Sequence, residues 1–174
     1  MIKPIAIYKN DILRTKAKEY KIGSKVSHVI DDILETMLNA NGAGIAAPQI
    51  GVSKRLFITK IGEDSRKVFI NPIIHNYFGE KMIMKEGCLS IPGVEGEIVR
   101  KDKILMSYYD KSWNFHENIE FSGVKSRIIQ HEYDHLEGKL WIDRIENETL
   151  KKIFRDIIKI SKGEITPKYP IIIF

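Results

Sequence analysis

From Ser24 onward, apolar residues at Val26, Val29, Ile30, Ile33, Leu34, Met37 and Leu38 recur every three or four positions, the spacing that stacks side chains on one face of an α-helix. Asn41-Gly42 supplies a stop, so the pattern predicts a core-facing N-terminal helix. The stretch from Gly42 to Gly51 is too rich in glycine for a regular helix and is interrupted by Pro48; it reads as an irregular loop placed to touch something. Arg55–Thr59 and Val68–Pro72 are short β-branched and aromatic runs that predict strands, with a polar turn at Gly62–Ser65 between them. Further short strands are predicted at Ile73–Tyr77, Ile98–Arg100, Ile104–Tyr109 and Asn118–Phe121.

Helical spacing returns over Gly123–Leu136, with Ser122 as its cap and Gly138 closing it. A last helix starts near Asn147, places Leu150, Ile153, Phe154, Ile157 and Ile158 on one face, and ends at Gly163. The apolar tail Tyr169–Phe174 reads as a terminal strand laid onto the sheet. An order of helix, strands, helix, helix fits an α+β fold, with antiparallel or mixed sheets around a central helix, better than alternating βαβ units. Without a repeat, a low-complexity tract or a linker, residues 1–174 are expected to form one domain.

Composition narrows the setting. A hydrophobic share of 43% beside 29% charged residues is ordinary for a soluble globular chain. No apolar run approaches the ~18 residues of a membrane span, so no membrane contact is expected. The N-terminus lacks the long apolar stretch and cleavage site of a secretory signal, and one cysteine cannot form an internal disulfide; a reducing cytoplasm is the expected location. A net charge of +5 is basic without being polycationic, and the lysines are interleaved with acids, so DNA binding is not called for. The last helix and tail depart from that mixture, with Lys151, Lys152, Arg155, Lys159, Lys162 and Lys168 against Asp156 and Glu164. That excess fits either a solvated amphipathic face or a contact with RNA.

The chemistry concentrates in Gln130-His131-Glu132-Tyr133-Asp134-His135-Leu136. Residues four apart on a helix share a face, so His131 and His135 can reach one cation while Glu132 stands about 100° round the axis as a base. Two imidazoles are too few for a catalytic site, which takes three protein ligands and leaves a position for water. Downstream acids Asp143, Glu146 and Glu148 are available, but Cys88, beside Gly87 in the turn-like segment Glu86–Gly93, is the better third ligand. Two rivals follow from the open choice: a zincin-type metallopeptidase with a downstream acid and Cys88 a bystander, or a basic RNA-binding or scaffold protein whose metal is structural.

Three separated segments, Gly42–Gln49, Glu86–Ser90 and Gln130–Leu136, resemble in order and spacing the three signature motifs of the peptide deformylases. The resemblance implies removal of the formyl group from the N-terminal formyl-methionine of new polypeptides, with release of formate. It implies that Cys88, His131 and His135 hold one divalent ion, commonly Fe²⁺ in the cell and replaceable by Zn²⁺ or Ni²⁺. Glu132 would then take the proton of the attacking water and return it to the leaving amine. The Gln49 amide and the Leu89 backbone N–H would face the developing oxyanion, although Gln49 could equally serve as a loop hydrogen bond. Gly44 would let an extended peptide approach, and Ala43, Val124, Ile128 and His131 would line the methionine pocket, where Ile128 could also be ordinary core. The expected partners are N-formyl-methionyl nascent peptides, with ribosome docking through the basic C-terminal helix as an alternative to a merely solvated face. Glu95 stands where the family often carries arginine, which points to an altered peptide preference. Arg127, one turn before His131, is expected to point outward, and Arg100 to pair with Asp134.

Overall fold

The computed structural model describes residues 1–60, 66–145 and 147–172. Strand β1 (Ile5–Ala6) and helix α1 (Ser27–Asn39) precede β2 (Gly44–Ala46), β3 (Leu56–Lys60), β4 (Arg66–Cys88), β5 (Ile91–Tyr109) and β6 (Phe115–Ser122). Helix α2 (Gly123–Leu136) continues directly from β6, α3 spans Asn147–Ser161, and β7 is Ile171–Ile172. Strands β2 to β6 make an antiparallel sheet in chain order, and β1 pairs with β7 in parallel. The fold is α+β, with α2 packed against β2, β3, β5 and β6.

The short strands expected through the middle of the chain are fused. The runs at 68–72 and 73–77 lie in one 23-residue strand, and those at 98–100 and 104–109 in one 19-residue strand. Breaks in pairing register between Ile70 and Ile73, Ile74 and Asn76, and Phe78 and Lys81 separate the pieces. Such irregularities bend a strand and increase its twist, so a segment that would run about 75 Å if straight can curve around a small core. The turn expected at Gly62–Ser65 lies outside the described residues; Lys60 and Arg66, on either side of it, are opposite one another in the β3–β4 ladder.

Helix α1 buries Val29, Ile30, Ile33 and Met37, but Leu38 is exposed. On α3 the buried face is carried by Ile157 and Ile160, whereas Phe154 is half exposed, because the inward stripe is narrower than the apolar spacing implies. Ser122 occupies the cap position of α2 without a side-chain capping bond. Gly138 ends that helix at φ +69, where a Cβ would meet the Arg14 carbonyl oxygen at 2.7 Å. The terminal strand is present but lies on β1, not on the large sheet: Ile5 N–H donates to Pro170 O at 2.8 Å and Ile7 N–H to Ile172 O at 3.0 Å. Ile129 and Leu136 fix α2 against an aromatic cluster of Phe57, Phe69 and Tyr108. The polar side of α2 is thereby turned toward the tip of the β4–β5 hairpin.

Candidate metal centre

Strand β4 ends at Cys88, which pairs across the two-residue turn Leu89–Ser90 with Ile91 at the start of β5. That turn holds the thiol over α2, where His131 and His135 project one helical turn apart. One ligand atom from each of Cys88, His131 and His135 lies within 4.8 Å of the other two. Cys88 Sγ is 3.3 Å from His135 Nε2. Among the described residues these three alone make such a group. The downstream acid Asp143 is engaged elsewhere, accepting from Arg14 and, at 2.8 Å, from the Leu140 N–H.

A buried ionic network braces the group. Glu86 Oε2 lies 3.0 Å from His131 Nδ1, which leaves Nε2 of that ring for the site. Arg100 grips the same carboxylate with two bonds, of 2.6 and 2.9 Å, and reaches Asp134 at 2.8 Å, the pairing anticipated from sequence. Arg144 donates to both oxygens of Asp134. Arg127 does not point outward. It is buried, donating to Glu86 Oε1 at 2.6 Å and to the carbonyls of Ile98 and Met82, so the carboxylate rather than solvent neutralises it. Glu86 carries this arrangement, and composition gave no hint of it. Its place two residues before Cys88 on a strand is the available signal, since alternation puts both on one face.

These charges set the protonation of the site. Burial alone would push the Cys88 thiol up, but the adjacent His135 and His131 outweigh it and hold the thiol well below its ordinary value, as a thiolate suited to a cation. Burial and the hydrogen bonds from Arg100 and His131 act oppositely on Glu86, and the hydrogen bonds win, keeping it ionised. Glu132 is the contrary case: burial dominates over the nearby histidines and raises it to about 7. Its Oε2 and the Nδ1 of His135 are buried without a partner. A thiolate, two imidazoles and an unpaired carboxylate crowded together fit a divalent cation, which offsets the cost of burying them.

The remaining nominated residues gather around the same point. Gln49, buried in the 3-10 turn after β2, accepts from the Ala46 N–H at 2.8 Å through Oε1, while Nε2 lies 3.1 Å from Ser90 Oγ and 3.7 Å from Cys88 Sγ. The loop bond and the approach to the centre are thus both made, by opposite ends of one amide. Gly44 sits against Glu132, where a Cβ would come within 2.5 Å of Oε1. Gly44, Leu89, Ala43, Val124 and Ile128 line a groove of about 870 Å³ that has Cys88, His131 and Glu132 in its wall. Ala43 and Val124 are exposed and Ile128 is half-buried, so none of the three is interior core. Glu95 lines the groove too.

A groove of about 870 Å³ with a three-ligand centre and a buried carboxyl poised near neutrality in its wall is the equipment of a metal-dependent hydrolase. Comparison with known proteins narrows the class. The model of the polypeptide deformylase family matches residues 2–151, and the chain belongs to that family. It is 43% identical to the peptide deformylase of Pelodictyon phaeoclathratiforme over 99% of this chain and 94% of that one. It is 48% identical to that of Karelsulcia muelleri over 83% and 79%. A crystal structure of a peptide deformylase from Legionella pneumophila superposes with a TM-score of 0.85 at 32% identity, covering 94% of this chain and 98% of that one. Arabidopsis thaliana peptide deformylase 1B in complex with an inhibitor gives 0.85 at 32%, covering 92% and 91%.

Proposed function

We propose that this chain removes the formyl group from N-terminal formyl-methionine, and that residues 1–174 act as one catalytic domain. The observation that carries the reading is the convergence of Cys88 Sγ with the His131 and His135 nitrogens, beside Glu132, in the wall of a peptide-sized groove. Cys88, His131 and His135 would hold the ion. When bound, the ion supplies a Lewis acid that makes water nucleophilic at neutral pH. Glu132, with one oxygen free of protein partners, takes the water proton and later gives it to the departing amine. A carboxyl raised to about 7 can do both. The Gln49 Nε2 and the Leu89 N–H stabilise charge on the formyl oxygen, and Ala43, Val124 and Ile128 receive the methionine side chain. Gly44 keeps the space beside Glu132 open to the substrate backbone.

In line with the family resemblance, we assign Fe²⁺ as the cellular ion, with Zn²⁺ or Ni²⁺ accepted by the purified protein, and nascent formylated chains in the cytoplasm as substrate. No helix among the described residues is long and apolar enough to cross a membrane. The basic face of α3, where Lys151, Lys152, Arg155 and Lys159 are exposed, is proposed as a ribosome contact. To separate the reading from a peptidase, the metal-loaded protein is given formyl-Met-Ala-Ser and an unformylated decapeptide. Formate from the first with no cleavage of the second is the expected outcome; internal cleavage without formate release would reverse the assignment.

A further inference from the structure

The C-terminal tail, which lies beyond the family-matched residues, runs past the groove to the turn that follows Cys88 before pairing with β1. After α3 the chain passes Ile165, Thr166 and Pro167, which line the groove, and reaches Tyr169. The Tyr169 hydroxyl donates to the Leu89 carbonyl oxygen at 2.7 Å. That oxygen belongs to the peptide unit joining Leu89 to Ser90, and the opposite end of the same unit, the Ser90 N–H, donates to Cys88 Sγ at 3.4 Å. A peptide unit is rigid and planar, so a partner on its oxygen also sets the direction of its N–H. Tyr169 is itself anchored. Its neighbour Pro170 accepts from the Ile5 N–H at 2.8 Å, β7 pairs with β1, and its ring packs with Leu89 against the core beneath α1.

We propose that Tyr169 is a positioning residue of this centre: its hydroxyl orients the Leu89–Ser90 peptide unit, and through it the hydrogen bond from the Ser90 N–H to the Cys88 sulfur. The inference rests on Cys88 being a ligand and on the deformylase reading. A donor on a metal-bound thiolate adjusts how strongly the sulfur binds, as partners behind metal ligands generally do. The tail thereby ties β1 to the reaction centre, because β7, which follows Tyr169, pairs with it.

Tyr169→Phe keeps the ring and removes only the donor. The protein is prepared anaerobically with Co²⁺, and three quantities are read: the thiolate-to-cobalt charge-transfer band, the rate of metal loss to a chelator, and kcat and KM on formyl-Met-Ala-Ser. The band shifts, metal loss quickens roughly 10-fold, and kcat falls by a similar factor while KM changes by less than about twofold. Incorporating p-aminophenylalanine at 169 restores a donor at the ring tip and returns all three toward wild type. A loss that this residue does not rescue marks a merely structural role and overturns the proposal, as does a Tyr169→Phe protein indistinguishable from wild type. A wild-type protein with a charge-transfer band but no formate release removes the deformylase reading, whereas one that releases formate without the band removes Cys88 as ligand; in either case this inference falls with it.

Discussion

Glu132 is held in the folded chain against its own solvation. Burial raises its carboxyl from 4.5 to about 7, so in the metal-free protein it keeps its proton after the unfolded chain has released it. Stability therefore falls as pH rises between those values and stays reduced above them. Glu132→Gln has no charge to bury, and the metal-free variant should exceed wild type by up to about 3 kcal/mol above pH 7, the gap closing below about 4.5. Denaturant melts across that range check it; equal stability at high pH would mean the carboxylate is better solvated than its surroundings imply. Gly44→Ala tests the neighbouring contact. A methyl group 2.5 Å from Glu132 Oε1 must displace the carboxylate, so formate release should drop by about 100-fold while the metal stays bound. The Glu132 position was readable from the histidine spacing, and Gly44 was expected to admit a peptide backbone, but its contact with Glu132 was not foreseen: only the packed structure shows which side chain borders the space a glycine leaves.

Helix α2 is the element on which the site depends, and its braces are ionic. Asp134 would be pushed up by burial, but the hydrogen bond from Arg144 and the charge of Arg100 hold it below its ordinary 3.8. The unfolded chain therefore binds the proton first. The stabilisation is fully present above pH 3.8 and drains away as pH falls through the lowered folded value. Asp134→Asn should be less stable than wild type near neutrality and lose less on acidification, measured as Tm from roughly pH 6 to pH 3. Arg127→Ala leaves Glu86 with one cation fewer inside the protein and should cost about 3 kcal/mol in folding free energy. The bounds of α2 were legible because helical period is a local signal, whereas the Arg100–Asp134 pair joins α2 to β5 and was anticipated from opposite charge alone. The burial of Arg127 was not, since its partners arrive from β4 and β5, whose bulged course no short window of sequence reveals. Of the apolar face expected on α3, Phe154 alone is exposed, for a related reason: periodicity marks an apolar side without saying how much of it a neighbour covers.

At the scale of the whole molecule, a thiol from a hairpin tip meets imidazoles from a helix more than about forty residues on, and the tail returns to line the groove. The motif order foretold that meeting; the tail was expected to lie on the main sheet, and its pairing with β1 instead was not visible in the sequence. The exposed cations of α3 offer the test of ribosome docking. Reversing Lys151, Lys152 and Arg155 to Glu should abolish salt-sensitive co-sedimentation with ribosomes and leave formate release unchanged, because none of the three lines the groove. Co-sedimentation that survives the reversal would remove α3 as the contact. The account as a whole is tested most directly by formate release from formyl-Met-Ala-Ser, using anaerobically prepared, Fe²⁺-loaded wild type and Glu132→Ala. Wild type should turn over, and the variant should hold the same one equivalent of metal while releasing formate at least about 1,000-fold more slowly. Turnover undiminished in a metal-replete Glu132→Ala protein would contradict the account.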